Sequence, residues 1–206
     1  KVQGKHLFFS TDLPGIIDGT DVVFLCLPTP PNIDGSTNLT FYDTAVDAIG
    51  KHLAARNDSR RVVVVNKSTV PIGTAMHLKS ALMKHAVKNF GVASNPEFLA
   101  EGTAVPEARK PDRIVVGCEV EEDFVLLRRV YSKFVHHVQT KYIETTPETA
   151  ESIKYVANTM LLTYISFWNG VGAKLGEKIP GINIDDLRLG VTADDRISTW
   201  GSFVSN

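Results

Sequence analysis

Four short, mostly apolar runs, separated by stretches with helical spacing, constrain this chain more than any other feature of its sequence. They are Asp21-Val-Val-Phe-Leu-Cys-Leu27, Arg61-Val-Val-Val-Val-Asn66, Phe90-Gly-Val-Ala-Ser94 and Arg113-Ile-Val-Val-Gly117. All are too short for helices and too uniformly apolar for a strand with one wet face, so each reads as a strand buried on both faces. Phe41, Ala45, Ala48, Ile49 and Leu53 recur at helical spacing, which predicts a helix over 40–55 with Thr40 as N-cap. Helices are likewise predicted over 73–85 and 121–134, the second with Leu126, Leu127 and Val130 on its apolar side. Strands alternating with helices predict an α/β fold, a partial Rossmann-like doubly wound parallel sheet. Such sheets bind ligands at the carboxyl ends of their strands, which directs attention to loops 27–31, 67–71 and 95–101.

The texture changes at Thr145-Thr-Pro-Glu148. Thr146 can cap a helix and Pro147 suits its first position, and an unbroken helix is predicted from there to Glu177. That exceeds the usual globular helix and suits a connecting or subunit-pairing element. A break over 178–184 and a further helix over 185–191 predict a helical connecting region after the sheet. The boundary is placed near 146, giving domains 1–146 and 147–206.

Charge narrows the partners. With 22 Lys plus Arg against 23 Asp plus Glu, the net charge of −1 leaves no footprint for nucleic acid or an anionic membrane. A small molecule is the default ligand. No signal-peptide pattern or long apolar span is present, so the expected location is cytoplasmic. Cys26 and Cys118 stand in apolar contexts far apart and read as reduced core residues. The histidines form no ligand set, and no metal is expected.

The most informative polar stretch is Asn95-Pro-Glu-Phe-Leu-Ala-Glu-Gly102. If a helical turn starts after Pro96, Glu97 and Glu101 lie on one side of it. Such a pair can divide general-base and positioning roles, or simply be acids that favour a helix start. Lys154 and Asn158 also share a helix face, either as donors to a developing alkoxide or as ordinary polar positions, the lysine snorkelling to water. Ser68 and Thr69 close a buried strand, and Thr29 stands between prolines at the end of another. Each is a ligand-facing hydroxyl or a cap or turn residue. No Gly-x-Gly-x-x-Gly follows any strand.

Leu27-Pro-Thr-Pro30, Lys67-Ser-Thr-Val-Pro71, Asn95–Gly102, Pro111-Asp-Arg-Ile-Val-Val-Gly117, Lys154-Tyr-Val-Ala-Asn158 and Asp195-Arg-Ile197 occur in the order seen in the UDP-glucose/GDP-mannose dehydrogenase family. The resemblance runs from about Thr11 to Asn206. It implies NAD-dependent, four-electron oxidation of UDP-glucose to UDP-glucuronate through a cysteine thiohemiacetal and thioester, in nucleotide-sugar metabolism and polysaccharide biosynthesis. By matched position, Thr69 would help place the water or proton-transfer network, and Lys154 with Asn158 would stabilise the oxyanion at C6. Glu97 would act as acid/base in thioester hydrolysis, and Glu101 would contact substrate or the nicotinamide side. The backbone of Glu97, Phe98, Leu99, Ala100 and Glu101 would line the sugar nucleotide. Leu27, Pro28, Thr29, Pro30 and Ser68 would face NAD. Arg196 resembles the family arginine that reaches substrate, and the 147–177 helix would form a homodimer.

The family begins with a strand and a Gly-rich turn that this sequence does not contain, and its nucleophile loop follows the Arg-Ile motif, beyond Trp200–Asn206. The chain is therefore expected to be an internal segment of a longer enzyme, inactive by itself. The alternatives are a catalytically silent dimerising module, or a relative that acts on GDP-mannose or a β-hydroxyacid.

Overall fold

The computed structural model describes residues 6–56 and 59–197. The chain divides after Lys154 into two compact units. The first is built on a five-stranded sheet of β1 (Val22–Leu25), β2 (Val62–Asn66), β3 (Phe90–Ser94), β4 (Arg113–Cys118) and β5 (Lys141–Thr145), in that spatial order. Around it lie α1 (Leu13–Ile17), α2 (Thr40–Ala54), α3 (Thr74–Lys84), α4 (Ala104–Arg109), α5 (Glu121–Val130) and α6 (Ser132–Val135).

β2 is buried along its whole length. Its alternate residues face opposite layers: Val62 and Val64 pack with Tyr42, Val46, Leu78 and Leu82, while Val63 and Val65 pack with Val116 and Leu127. Each fully buried valine contributes roughly 1.5–3 kcal/mol, so the Val-rich run anchors both layers.

Strands β1, β2 and β3 are parallel, but β4 runs antiparallel to β3 and pairs with it only through Ala93–Cys118 and Ser94–Gly117. The sheet is thus mixed rather than wholly parallel. Because only the end of β4 meets β3, most of β4 extends past the carboxyl end of β3. β5 runs parallel to β4 and sets Thr145 level with Gly117, itself level with Ser94. The helix that follows β5 therefore starts at the carboxyl edge of the parallel strands. Gly117 permits this approach, since a Cβ there would lie 2.5 Å from the Thr146 carbonyl oxygen.

Several local expectations change. β1 stops at Leu25, which leaves Cys26 exposed beyond the strand, while Cys118 is buried in β4. Burial pushes the Cys118 thiol up to about 12. Thr40 is the first helical residue and not the cap; its amide is held by Asn38 Oδ1 at 2.9 Å. The buried face of α2 is Tyr42, Val46, Ile49 and Leu53, with Phe41 exposed, because the Tyr42 hydroxyl finds a buried partner in Asn66 Oδ1 at 2.7 Å. The predicted 121–134 helix breaks at Tyr131 into α5 and α6, and Val130 is exposed. Residues 95–100 form no helical turn, so Glu97 and Glu101 do not share a helix side. The Glu97 carboxylate instead turns back to accept the Leu99 amide at 2.6 Å.

α7 (Pro147–Phe167) begins in the first unit and continues into the second. Thr146 Oγ1 accepts the Thr149 amide at 3.3 Å, and Pro147 occupies the first position, as its fixed φ favours. The predicted unbroken α-helix is interrupted by a π-helical turn over Trp168–Gly172 before α8 (Ala173–Lys178). There the Asn169 side-chain Nδ2 donates to the Ile165 carbonyl at 2.9 Å, and Gly172 leaves room for the Trp168 ring, which a Cβ would approach to 2.8 Å. α9 (Ile184–Thr192) is capped by Asn183 Oδ1, which accepts the Asp185 and Asp186 amides. Trp200–Asn206 lie outside the described residues. Among the described residues no helix is long and apolar enough to cross a membrane.

Candidate functional site

The carboxyl ends of β1 and β2 are stitched together. The Lys67 and Ser68 amides both donate to the Leu25 carbonyl, at 3.1 and 3.0 Å. Ser68 Oγ accepts the Leu27 amide at 2.7 Å, and Thr29 Oγ1 donates to the Thr69 carbonyl at 3.0 Å. The Ser68 and Thr29 hydroxyls thus bind backbone and fix the shape of loops 27–30 and 67–69.

β3 ends in a second fixed point. Asn95 is 1% exposed; its Nδ2 donates to the Val115 carbonyl at 2.7 Å and its Oδ1 accepts the Tyr131 hydroxyl at 2.5 Å. From this anchor the chain delivers Glu97, whose Oε1 accepts Lys154 Nζ at 3.0 Å. The Phe98 ring lies under the Arg113 guanidinium, 4.0 Å from its centroid, with Lys154 Nζ at 5.5 Å. Lys154 is only 7% exposed and so does not snorkel; a buried ammonium needs a partner of opposite charge, and Glu97 is that partner. Burial lowers Lys67 to about 8, an effect opposed by the nearby Glu97 charge and reinforced by Lys154.

A residue that sequence reasoning did not single out anchors the helix that carries the lysine. Glu151, 3% exposed, lies one helical turn before Lys154 on α7. Its carboxylate accepts the Gly73 amide at 2.7 Å, the Ala75 amide at 2.9 Å and the Ser94 hydroxyl at 3.1 Å. It joins the start of α3, the end of β3 and α7. Burial raises its pKa, and the three hydrogen bonds pull against that rise. The available signal was its three-residue spacing from Lys154. A small cavity bordered by Asn66, Ser68, Thr69, Pro96, Glu151 and Lys154 brings the β2 loop to the same place. Asn66 is 2% exposed, and its Nδ2 has no hydrogen-bond partner among the described residues.

The structure therefore assembles Glu97, Phe98 and Lys154, borders Lys154 with Ser68 and Thr69, and ties Leu27 and Thr29 to that edge. Pro28, Pro30, Leu99, Ala100 and Glu101 are exposed in their loops. Asn158 and Arg196 belong to the second unit, where Asn158 is exposed and Arg196 pairs with Asp194 at 2.6 Å. A separate cleft at the opposite end of β3 contains none of the predicted site residues, and its charges are paired as Arg61–Asp123 and Lys79–Glu119.

A buried lysine beside a half-exposed carboxylate can stabilise a developing oxyanion while the carboxylate exchanges a proton with water or substrate. Residues 1–135 match the NAD binding domain of the UDP-glucose/GDP-mannose dehydrogenase family, and residues 148–204 match that family's central domain. The chain is 42% identical over 196 residues to a UDP-glucose 6-dehydrogenase of Rickettsia prowazekii, covering 95% of this chain and 43% of that one. Among solved structures, a UDP-glucose dehydrogenase from Pyrobaculum islandicum superposes with TM-score 0.83 at 36% identity, over 93% of this chain and 43% of that one. A GDP-mannose dehydrogenase from Pseudomonas aeruginosa gives TM-score 0.79 at 29% identity, over 92% and 43%. The chain thus spans about 43% of the length of these relatives.

Proposed function

This chain belongs to the UDP-glucose/GDP-mannose dehydrogenase family, and on that footing we propose that the protein carrying it oxidises the sugar 6-hydroxyl of UDP-glucose to a carboxylate with NAD. The observation that carries the reading is the Lys154–Glu97 pair at 3.0 Å, set at the carboxyl edge of the parallel strands. Lys154, oriented by its partner, stabilises the oxyanion that forms as the hydroxyl loses its proton. Glu97 is the acid/base that moves a proton to and from water when the thioester is hydrolysed, and Thr69 borders the cavity through which that water is placed. Asn158 adds an amide donor, Arg196 reaches substrate, and the backbone from Glu97 to Glu101 lines the sugar nucleotide.

The residues at the β1 and β2 ends fit the nicotinamide end of a dinucleotide. Their loops are fixed by cross-loop hydrogen bonds, which set a preformed edge at the carboxyl ends of β1 and β2. Leu27, Pro28, Thr29, Pro30, Ser68 and Glu101 are the residues that would hold it. When bound, NAD supplies the electron acceptor for both oxidation steps. In this reading residues 1–146 form the cofactor-binding domain and 147–206 a pairing region of a cytoplasmic homodimer that serves polysaccharide biosynthesis. Val156, Met160 and Phe167, all more than half exposed on α7, support that pairing.

The test is NADH formation by the full protein. UDP-glucose should be turned over, GDP-mannose and short hydroxy acids should not, and Glu97→Gln should slow thioester hydrolysis about 10²-fold. Turnover of a short hydroxy acid in place of UDP-glucose would overturn the reading.

A further inference from the structure

We propose that Glu107 is a positioning residue that holds the loop carrying Glu97 and Phe98 in working shape, an inference that rests on the dehydrogenase reading above. Residues 95–100 contain no regular secondary structure, yet they deliver the proton-transfer group. Two consecutive amides in this stretch are held by carboxylates. The Leu99 amide donates to Glu97 Oε2 at 2.6 Å, and the Ala100 amide donates to Glu107 Oε2 at 2.7 Å. The other Glu107 oxygen accepts the Thr103 hydroxyl at 2.6 Å, while the Glu107 amide donates to the Thr103 carbonyl at 3.1 Å. Glu107 on α4 thus grips Ala100 and both ends of Thr103 across the turn that Gly102, at φ 85°, makes possible.

The two clamps differ in what they can afford to release. Glu97 shares its carboxylate between Lys154 and Leu99, so its hold on the Leu99 amide weakens when Glu97 takes up a proton and is lost when it turns toward water. Glu107 has no such second duty. The Thr103 hydroxyl, with the Ala100 amide, holds its carboxyl below the ordinary glutamate value, so it stays an acceptor throughout the neutral range. The loop then keeps its shape through the Glu107–Ala100 bond while Glu97 changes state. An ångström of drift in Glu97 is enough to cost catalysis heavily.

The experiment compares Glu107→Ala and Glu107→Gln with wild type in the full protein, reading NADH formation, pH profile and amide hydrogen exchange. Glu107→Ala should lower kcat about tenfold, raise KM for UDP-glucose, and shift the limb of the pH profile set by Glu97. Exchange at Ala100 should accelerate. Glu107→Gln, which keeps a carbonyl acceptor for Ala100, should recover part of kcat, and it carries the test if the alanine variant does not fold. Wild-type kcat, KM and Ala100 exchange in a folded Glu107→Ala protein would overturn the proposal. Absence of NADH formation by wild type would instead overturn the dehydrogenase reading, and the inference with it.

Discussion

Two glutamates meet the same stretch of α7 and do opposite work. Glu151 is 3% exposed and spends its carboxylate on three donors from α3 and β3. The Glu97 side chain is 32% exposed and spends one oxygen on Lys154 and the other on its own loop. Glu151 is closed, since each donor it holds is a fixed part of the fold. Glu97 is open, because it holds only one ammonium and one loop amide and water can reach it. A carboxylate is made structural by the number and rigidity of its donors and made available for chemistry by their scarcity.

The largest effect is expected at the closed member. Glu151→Ala leaves the Gly73 and Ala75 amides without an acceptor at the start of α3, a loss of about 3 kcal/mol or more. That corresponds to a fall in Tm of about 6–12 °C. The variant should lose activity only in proportion to the folded fraction. The contrast also has a pH signature. The ordinary value of the Glu151 carboxyl is 4.5, and burial raises it in the folded protein. The folded state therefore holds the proton more tightly, so the stability from this group is fully present below 4.5 and is lost as pH rises through the raised value. Thermal unfolding across that window should show wild type losing ground as pH rises, a slope that Glu151→Gln removes. A slope of the opposite sign would break the comparison.

The open member should respond in rate rather than stability. Lys154→Ala removes the ammonium from the proposed oxyanion site and should lower kcat about 10²-fold or more. Glu97 can then turn to water, so Tm should fall far less than in Glu151→Ala. A double-mutant cycle with Glu97→Gln sharpens the point. Because the two groups act as a unit across 3.0 Å, the double variant should be less impaired than the product of the singles. Additive losses, or an unfolding effect as large as that of Glu151→Ala, would mean that the pair is structural after all.

How legible this was in the sequence depends on the range of the interaction. The valine run of β2 and the Thr146-Pro147 start of α7 are local signals, and both appear as read. β5 escaped because Lys141-Tyr-Ile-Glu-Thr145 mixes charge with apolar residues, as an outer strand tolerates. The reversal of β4 left no trace, since Arg113–Gly117 is equally apolar in either direction. Lys154 and Glu97 were named separately, but their meeting across 57 residues was not derivable from spacing. Glu151 offered only its three-residue spacing from Lys154: in sequence it is one acid in the first turns of a helix, and its amide partners lie 78 and 76 residues away.

The smallest effect should come from Thr29, which tests whether the cofactor edge is separable from both glutamates. Thr29→Val keeps the side-chain shape and removes the 3.0 Å hydrogen bond to the Thr69 carbonyl. The bond is only partly buried, and Leu27 remains tied through Ser68, so the loss should be about 1 kcal/mol and the fall in Tm about 2–4 °C. The 27–30 loop is then less well ordered before NAD arrives, and ordering it is charged against binding. KM for NAD should rise about threefold, while KM for UDP-glucose and the pH profile stay unchanged, because no group in the Glu97–Lys154 pair touches Thr29. A change in the sugar KM would show that the stitched loops and the open carboxylate form one device, and the division drawn between fixed and available groups would have to move to include Thr69.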